Sequence, residues 1–110
     1  TTCISDMPKV INETAAFKAA LEAASGLVVV DFFADWCGPC KRIAPVLAEM
    51  DSAMEDVTFL KVDVDEADEL ASEYSISAMP TFKFIKGGKV VGEMLGANEE
   101  KLRSEISKLK

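Results

Sequence analysis

The 110 residues suffice for a single domain, taken as 1–110, that buries a core without disulfide or metal staples. Hydrophobic residues at 49% and charged residues at 28% exclude a disordered chain, and no apolar run approaches the roughly 20 residues of a membrane helix, so no membrane partner is expected. Nineteen acidic against twelve basic residues leave a net charge of −7, which speaks against a nucleic-acid partner and suits a small diffusing carrier.

"TTCISDMPKV" has no basic start followed by an apolar core, so no signal is expected there, and residues 1–6 read as a loose tail. Thr1 in place of a methionine is compatible with a removed leader. Met7 to Ile11 is predicted as a short first strand. Asn12 is placed as the N-cap of a helix to about Ala24, with Phe17, Ala20, Leu21 and Ala24 at helical spacing. The N-x-T pattern at Asn12-Glu13-Thr14 is read as capping rather than glycosylation. After Ser25-Gly26, "LVVVDFF" has the near-continuous apolar character of a strand buried on both faces. A second helix is predicted from Cys37, striped by Ile43, Leu47, Met50 and Met54 and kinked rather than stopped by Pro45. "VTFLKVDVD" (57–65) reads as a strand and "EADELASEY" (66–74) as a short acidic helix. "TFKFIK", Gly87-Gly88 and "KVVGEML" form a hairpin, since paired glycines suit its primed turns. Asn98 caps a last helix, with Glu99 and Glu100 in its first turn and Leu102, Ile106 and Leu109 on its buried face. The order β-α-β-α-β-α-β-β-α gives a mixed sheet with helices on both faces.

Cys37 and Cys40 stand together in "ADWCGPCKRIAP", and the chain has one other cysteine and no histidine. Three cysteines are too few for a secreted disulfide scaffold, which points to a reducing compartment. A structural zinc site needs four ligands; with Cys3 in the tail the set is incomplete, so no metal is expected. A permanent disulfide across so short a loop would add little stability. A dithiol that opens and closes fits the positions better. The strand leads directly into a helix and sets Cys37 at its N-terminus, where unpaired N–H groups and the macrodipole favour a thiolate nucleophile. Cys40 falls on the same helical face, one turn deeper, and is expected to be the less exposed, resolving thiol. Gly38 leaves room for an incoming protein, and Pro39 stiffens the turn where helical N–H groups lack partners. "DVDEADE" suggests a calcium loop, but Asp68 and Tyr74 occupy the glycine and closing-glutamate positions. "GGKVVG" lacks the spacing of a dinucleotide fingerprint, so a nicotinamide bound on this chain is not expected.

"WCGPCK" after "VVVDFFAD", followed by "MPTF" and "GGKVVGEMLGANEEKL", resembles the thioredoxin family along nearly the whole chain from Val10 onward. The resemblance implies an α/β thioredoxin fold, a mixed five-stranded sheet flanked by four helices. It implies that Asp31 is buried beneath the cysteine pair, its pKa raised by burial so that it exchanges a proton with Cys40. Lys61 resembles the family lysine that approaches this carboxylate; an exposed strand lysine is the competing reading. Met79-Pro80 resembles the cis-proline loop that receives an extended substrate segment by strand addition. Trp36, Gly38, Pro39, Met79, Gly96 and Ala97 would form the apolar docking surface around it. Phe33 stands where many members carry tryptophan, a change expected to alter packing and fluorescence more than chemistry. Cys3 lies outside the shared pattern and is expected to be a free thiol, and the regulatory cysteine that some animal members carry is replaced by Ala78.

The function implied is that of a protein-disulfide reductase and electron carrier, a cytoplasmic monomer with no bound cofactor. A separate NADPH-dependent flavoprotein, thioredoxin reductase, would supply its electrons. Its clients would be disulfide-containing proteins such as peroxiredoxins and ribonucleotide reductase. Two other classes stay in view. An oxidase or isomerase domain of the secretory pathway shares this fold, although the Gly-Pro dipeptide and the ending "SKLK" point away from it. A non-catalytic binding scaffold would need no thiols, so the intact pair argues against that as the sole role.

Overall fold

The apolar run Leu27–Phe33 forms β2, and all its side chains but Phe33 are fully buried because other layers cover both of its faces. The computed structural model describes residues 9–110. In chain order the elements are β1 (Lys9–Val10), α1 (Thr14–Ala23), β2, α2 (Gly38–Ala53), β3 (Val57–Asp63), α3 (Asp68–Glu73), β4 (Thr81–Lys86), β5 (Lys89–Leu95) and α4 (Glu99–Leu109). The sheet order is β1-β3-β2-β4-β5; β1 and β2 run parallel to β3, while β4 is antiparallel to both β2 and β5. β1 contributes only two residues, so four longer strands carry this mixed sheet.

Alternation along β2 divides the core. Leu27 and Val29 pack with Ile43, Leu47 and Met50 of α2 and with Leu102 and Ile106 of α4. Val28, Val30 and Phe32 face the other way, onto Phe17 of α1 and Leu70 of α3. Each such side chain contributes roughly 1.5–3 kcal/mol by leaving water. Asp31 shares the parity of Leu27 and Val29, so it points toward the face that α2 covers. Helix α2 runs unbroken through Pro45, as the stripe of Ile43, Leu47 and Met50 requires. The Asn98 side chain accepts the Lys101 N–H at 3.0 Å, the expected cap of α4. Gly87 and Gly88 take φ of 61° and 80°, the two positive values of a primed hairpin turn.

The expected bounds of the first strand, of β3 and of α3, and the expected cap of α1, are corrected. Of the first strand, Met7 and Pro8 lie outside the described residues, as does Cys3, and the strand ends at Val10. Asn12 does not cap α1: Glu13 holds that position without a side-chain cap, and Asn12 Oδ1 instead accepts the N–H of Asp63 at 3.0 Å. The parallel pairing of β1 with β3 brings those distant residues side by side. β3 stops at Asp63 rather than 65, because Asp63 turns the chain on itself. Its Oδ1 accepts the Asp65 N–H at 2.9 Å, and its carbonyl accepts those of Glu66 and Ala67 at 3.1 and 2.8 Å. α3 therefore begins only at Asp68.

The end of α3 carries local strain. The Ser75 N–H donates to Ser72 O at 3.1 Å and the Ile76 N–H to Ala71 O at 2.8 Å, a Schellman closure with Ser75 at φ 56°. Glycine adopts that conformation freely, whereas a residue with a Cβ is disfavoured there by about 1–2 kcal/mol. Part of the gain from glycine is offset by its greater freedom in the unfolded chain, about 0.4–1 kcal/mol. Ser75 is exposed, so no packing is lost on replacement. Ser75→Gly is expected to raise stability by about 0.5–1 kcal/mol in urea unfolding. A neutral or destabilising result would show that the cap is not strained.

Candidate active site

β2 releases the chain after Phe33, and four residues later Cys37 becomes the N-cap of α2, with Pro39 in the first turn. The Cys40 N–H donates to Cys37 Sγ at 3.2 Å, so the sulfur takes the place usually held by a capping oxygen. Cys37 and Cys40 are joined as a disulfide with Cα atoms 5.3 Å apart. In this closed form they are 4% and 3% exposed, so the expected contrast in exposure is absent. The bond draws both sulfurs onto one face of the first turn. With Ala34 the two cysteines form a small buried cluster, against which half-buried Phe33, Val64 and Met79 pack.

Trp36 is 67% exposed, and its indole N–H donates to the Asp65 carboxylate at 2.9 Å. Asp65 belongs to the turn after β3. It lies 29 residues from Trp36, so no local pattern in the sequence signals the link. Gly38 is exposed and Pro39 half-buried beside it. The Met79–Pro80 peptide is cis, and Met79 packs on the cysteine pair. The Pro80 carbonyl accepts the Gly96 N–H at 3.0 Å, and Gly96 at φ 91° occupies backbone space that favours glycine. Ala97 then turns inward and packs against the core. The α2 entrance, the Met79-Pro80 loop and the end of β5 thus converge around the two sulfurs, and Trp36 stands free at their edge.

Asp31 is 1% exposed, and no described residue donates a hydrogen bond to either carboxylate oxygen. Burial pushes its pKa from the ordinary 3.8 up to about 7, an effect that the charge of Lys61 partly offsets. Lys61 is the register partner of Asp31 on β3 and is half-buried. Its ammonium lies 4.4 Å from the centre of the Phe33 ring. Phe33, Lys61 and Cys40 together line a cavity of about 140 Å³. Phe33 therefore also faces the Lys61 ammonium. Strand alternation carried the signal, because Asp31 and Phe33 share one face of β2 and Lys61 the matching face of β3.

The family model for thioredoxin matches residues 8–108. The chain belongs to the thioredoxin family. It is 50% identical to thioredoxin of Homo sapiens over 104 residues, covering 94% of this chain and 99% of that one. Among solved structures it resembles thioredoxin of Fasciola hepatica, with a TM-score of 0.89 at 48% identity, over 92% of this chain and 98% of the other. It also resembles a chain from work on the thiol-resolving mechanism of yeast mitochondrial 1-Cys peroxiredoxin via glutathione/thioredoxin systems. That match has a TM-score of 0.84 at 37% identity, over 91% of this chain and 93% of the other.

The thioredoxin fold and its vicinal cysteines make this chain a protein-disulfide reductase acting by dithiol–disulfide exchange. Thioredoxins work on disulfide-containing clients. No helix among the described residues is long and apolar enough to cross a membrane.

The raised pKa of Asp31 has a measurable consequence for stability. Native Asp31 keeps its proton to about pH 7, whereas an unfolded aspartate releases it near 3.8. Between those values the native state binds more protons, so stability falls as pH rises from about 4 to 7 and then levels, a loss of up to about 4 kcal/mol. Asp31→Asn is expected to remove that contribution. Urea unfolding should show the variant gaining on the parent from pH 4 to 7 and exceeding it at pH 8. A constant difference across the range would mean that Asp31 is ionised throughout.

Proposed function

We propose that this chain is a cytoplasmic, monomeric electron carrier in which Cys37 is the nucleophile and Cys40 the resolving thiol. The observation that carries the reading is the Cys37 sulfur at the N-cap of α2, accepting the Cys40 N–H at 3.2 Å. Backbone donors at a helix start stabilise a thiolate and bring its pKa toward neutrality. In the reduced form the Cys37 thiolate attacks one sulfur of a client disulfide. An S–S bond forms between Cys37 and the client while the other client sulfur leaves as a thiolate. Cys40 then gives its proton to the Asp31 carboxylate, attacks Cys37 Sγ and expels the second client thiolate. Two electrons pass to the client, and the Cys37–Cys40 disulfide remains.

Lys61 is assigned to the electrostatics of this proton exchange, because it is the cation in register with Asp31 on the neighbouring strand and its charge offsets part of the effect of burial. Trp36, Gly38, Pro39, Met79, Pro80, Gly96 and Ala97 are assigned to client binding. Support comes from the exposed indole, the packing of Met79 on the cysteines and the Pro80–Gly96 hydrogen bond. An extended client segment can lie along such a loop through backbone hydrogen bonds.

No cofactor is assigned to this chain; a separate NADPH-dependent thioredoxin reductase would return the dithiol form. Peroxiredoxins and ribonucleotide reductase are the proposed clients, the first supported by the likeness to the chain from the peroxiredoxin work. The net charge of −7 favours neither nucleic acid nor an anionic membrane as partner.

The roles separate on substitution. With dithiothreitol as electron source and a disulfide-bonded protein as client, Cys37→Ser is expected to lose turnover by at least about 10³-fold. Cys40→Ser is expected to accumulate a covalent mixed disulfide with the client, visible on non-reducing gels and released by reductant. Turnover by Cys37→Ser, or no trapped adduct with Cys40→Ser, would overturn the assignment.

A further inference from the structure

Asp31 and Phe33 lie on one face of β2, and Lys61, the register partner of Asp31, lies on the same face of β3. A lysine ammonium on a flexible stem with three donors ordinarily pairs with a buried carboxyl beside it. Here it does not. Both Asp31 oxygens are without a hydrogen-bond partner among the described residues, while Lys61 Nζ stands 4.4 Å from the centre of the Phe33 ring. That distance is within the roughly 6 Å over which a ring face attracts a cation. Both partners are half-buried.

Two further carboxylates lie in these surroundings, Asp63 on the same face of β3 and Asp35 in the same cavity, and neither pairs with Lys61. Lys61 comes from β3, and Asp35 and Lys41 line the same cavity from the loop before α2 and from α2 itself. On β4 the partner of Asp31 is Phe82, which carries no charge. Among the described residues Lys61 makes no ion pair, so the aromatic ring is the observed partner of its head group.

We propose that Phe33 is a positioning residue for the buried acid: its ring face holds the Lys61 ammonium off Asp31 and so leaves Asp31 free to accept and return the proton of Cys40. The inference rests on the proton-exchange role assigned to Asp31 above. A lysine released from the ring would turn onto the carboxylate, hold it ionised and remove it from proton exchange near neutral pH. With the ring in place the lysine acts at a distance, moderating the effect of burial without capturing the acid. Phe33 thereby reaches the chemistry through Lys61 and touches no reacting atom itself.

The test is an NMR titration of the Asp31 side-chain carboxyl carbon in the oxidised full-length protein. Phe33→Leu is expected to move its midpoint down by about one pH unit or more, because an opposite charge brought within about 4–6 Å has that effect. Phe33→Met is the second ring-less variant should the first fail to fold, and Phe33→Trp, which keeps an aromatic face, is expected to leave the midpoint in place. Lys61→Met is expected to raise the midpoint, and adding Phe33→Leu to it should change nothing further. An unchanged midpoint in the ring-less variants overturns the proposal. So does a downward shift that persists without Lys61, because the ring would then act only by excluding water. The titration needs no turnover, so its failure leaves the cysteine roles intact, and failure of the cysteine assignments leaves the titration result intact.

Discussion

The site depends on where β2 stops. A strand covered on both faces and hydrogen-bonded to β3 on one side and β4 on the other has no freedom to slip, since a one-residue shift would send its whole apolar set to the wrong layers. Phe33 is therefore delivered to a fixed point at the end of the central strand, and Cys37 follows as the N-cap of α2. The stripe of Ile43, Leu47 and Met50 anchors that helix on the same sheet. The sulfur position is thus set by core packing at both ends of a short loop. Reactivity follows from that placement, because the start of a helix offers N–H donors with no other partner.

The same strand carries the molecule's least favourable group. Asp31 lies in the layer that Leu27 and Val29 fill with hydrocarbon, and neither of its oxygens has a partner among the described residues. A buried carboxyl without donors opposes folding whenever it is charged. The raised pKa is the molecular response: the acid stays neutral over much of the accessible pH range. An aliphatic residue at this position would pack at no such cost, which accords with the proton-exchange role proposed for Asp31. The charge of Lys61 offsets part of that perturbation, and by the proposal above Phe33 sets where that charge is held.

Much of this organisation was legible in the sequence. Element order, the two-sided burial of β2, the hairpin at Gly87-Gly88 and the Asn98 cap all follow from contacts within a few residues, where periodicity and turn chemistry speak directly. Cys37 and Cys40 were legible for the same reason, since their spacing and the strand before them suffice. Asn12 and the Trp36–Asp65 hydrogen bond were not, because each is decided by a residue far away in the chain, and the end of β3 was not, because the Asp63 side chain closes a local turn that strand propensity alone does not show. Asn12 is a good helix cap in isolation; the parallel pairing of β1 with β3 gives its oxygen a better partner. The sequence alone gives Phe33 as a change in packing and fluorescence more than in chemistry, because the identity of one side chain does not reveal the cation above it. Strand parity would have placed Asp31, Phe33 and Lys61 on one face, but the choice of Lys61 between a ring and a carboxylate is a tertiary outcome.

The central claim is that the Cys37–Cys40 pair is a reductant under physiological conditions. Its most direct test is the reduction potential, obtained by equilibrating the Cys3→Ser protein against graded glutathione redox buffers and quantifying the dithiol fraction. Thioredoxin has a potential of about −270 mV, a family value rather than one derived from this geometry, and a result close to it is expected here. A potential near −180 mV, as in protein disulfide isomerase, or near −120 mV, as in a strong thiol oxidant, would contradict the account.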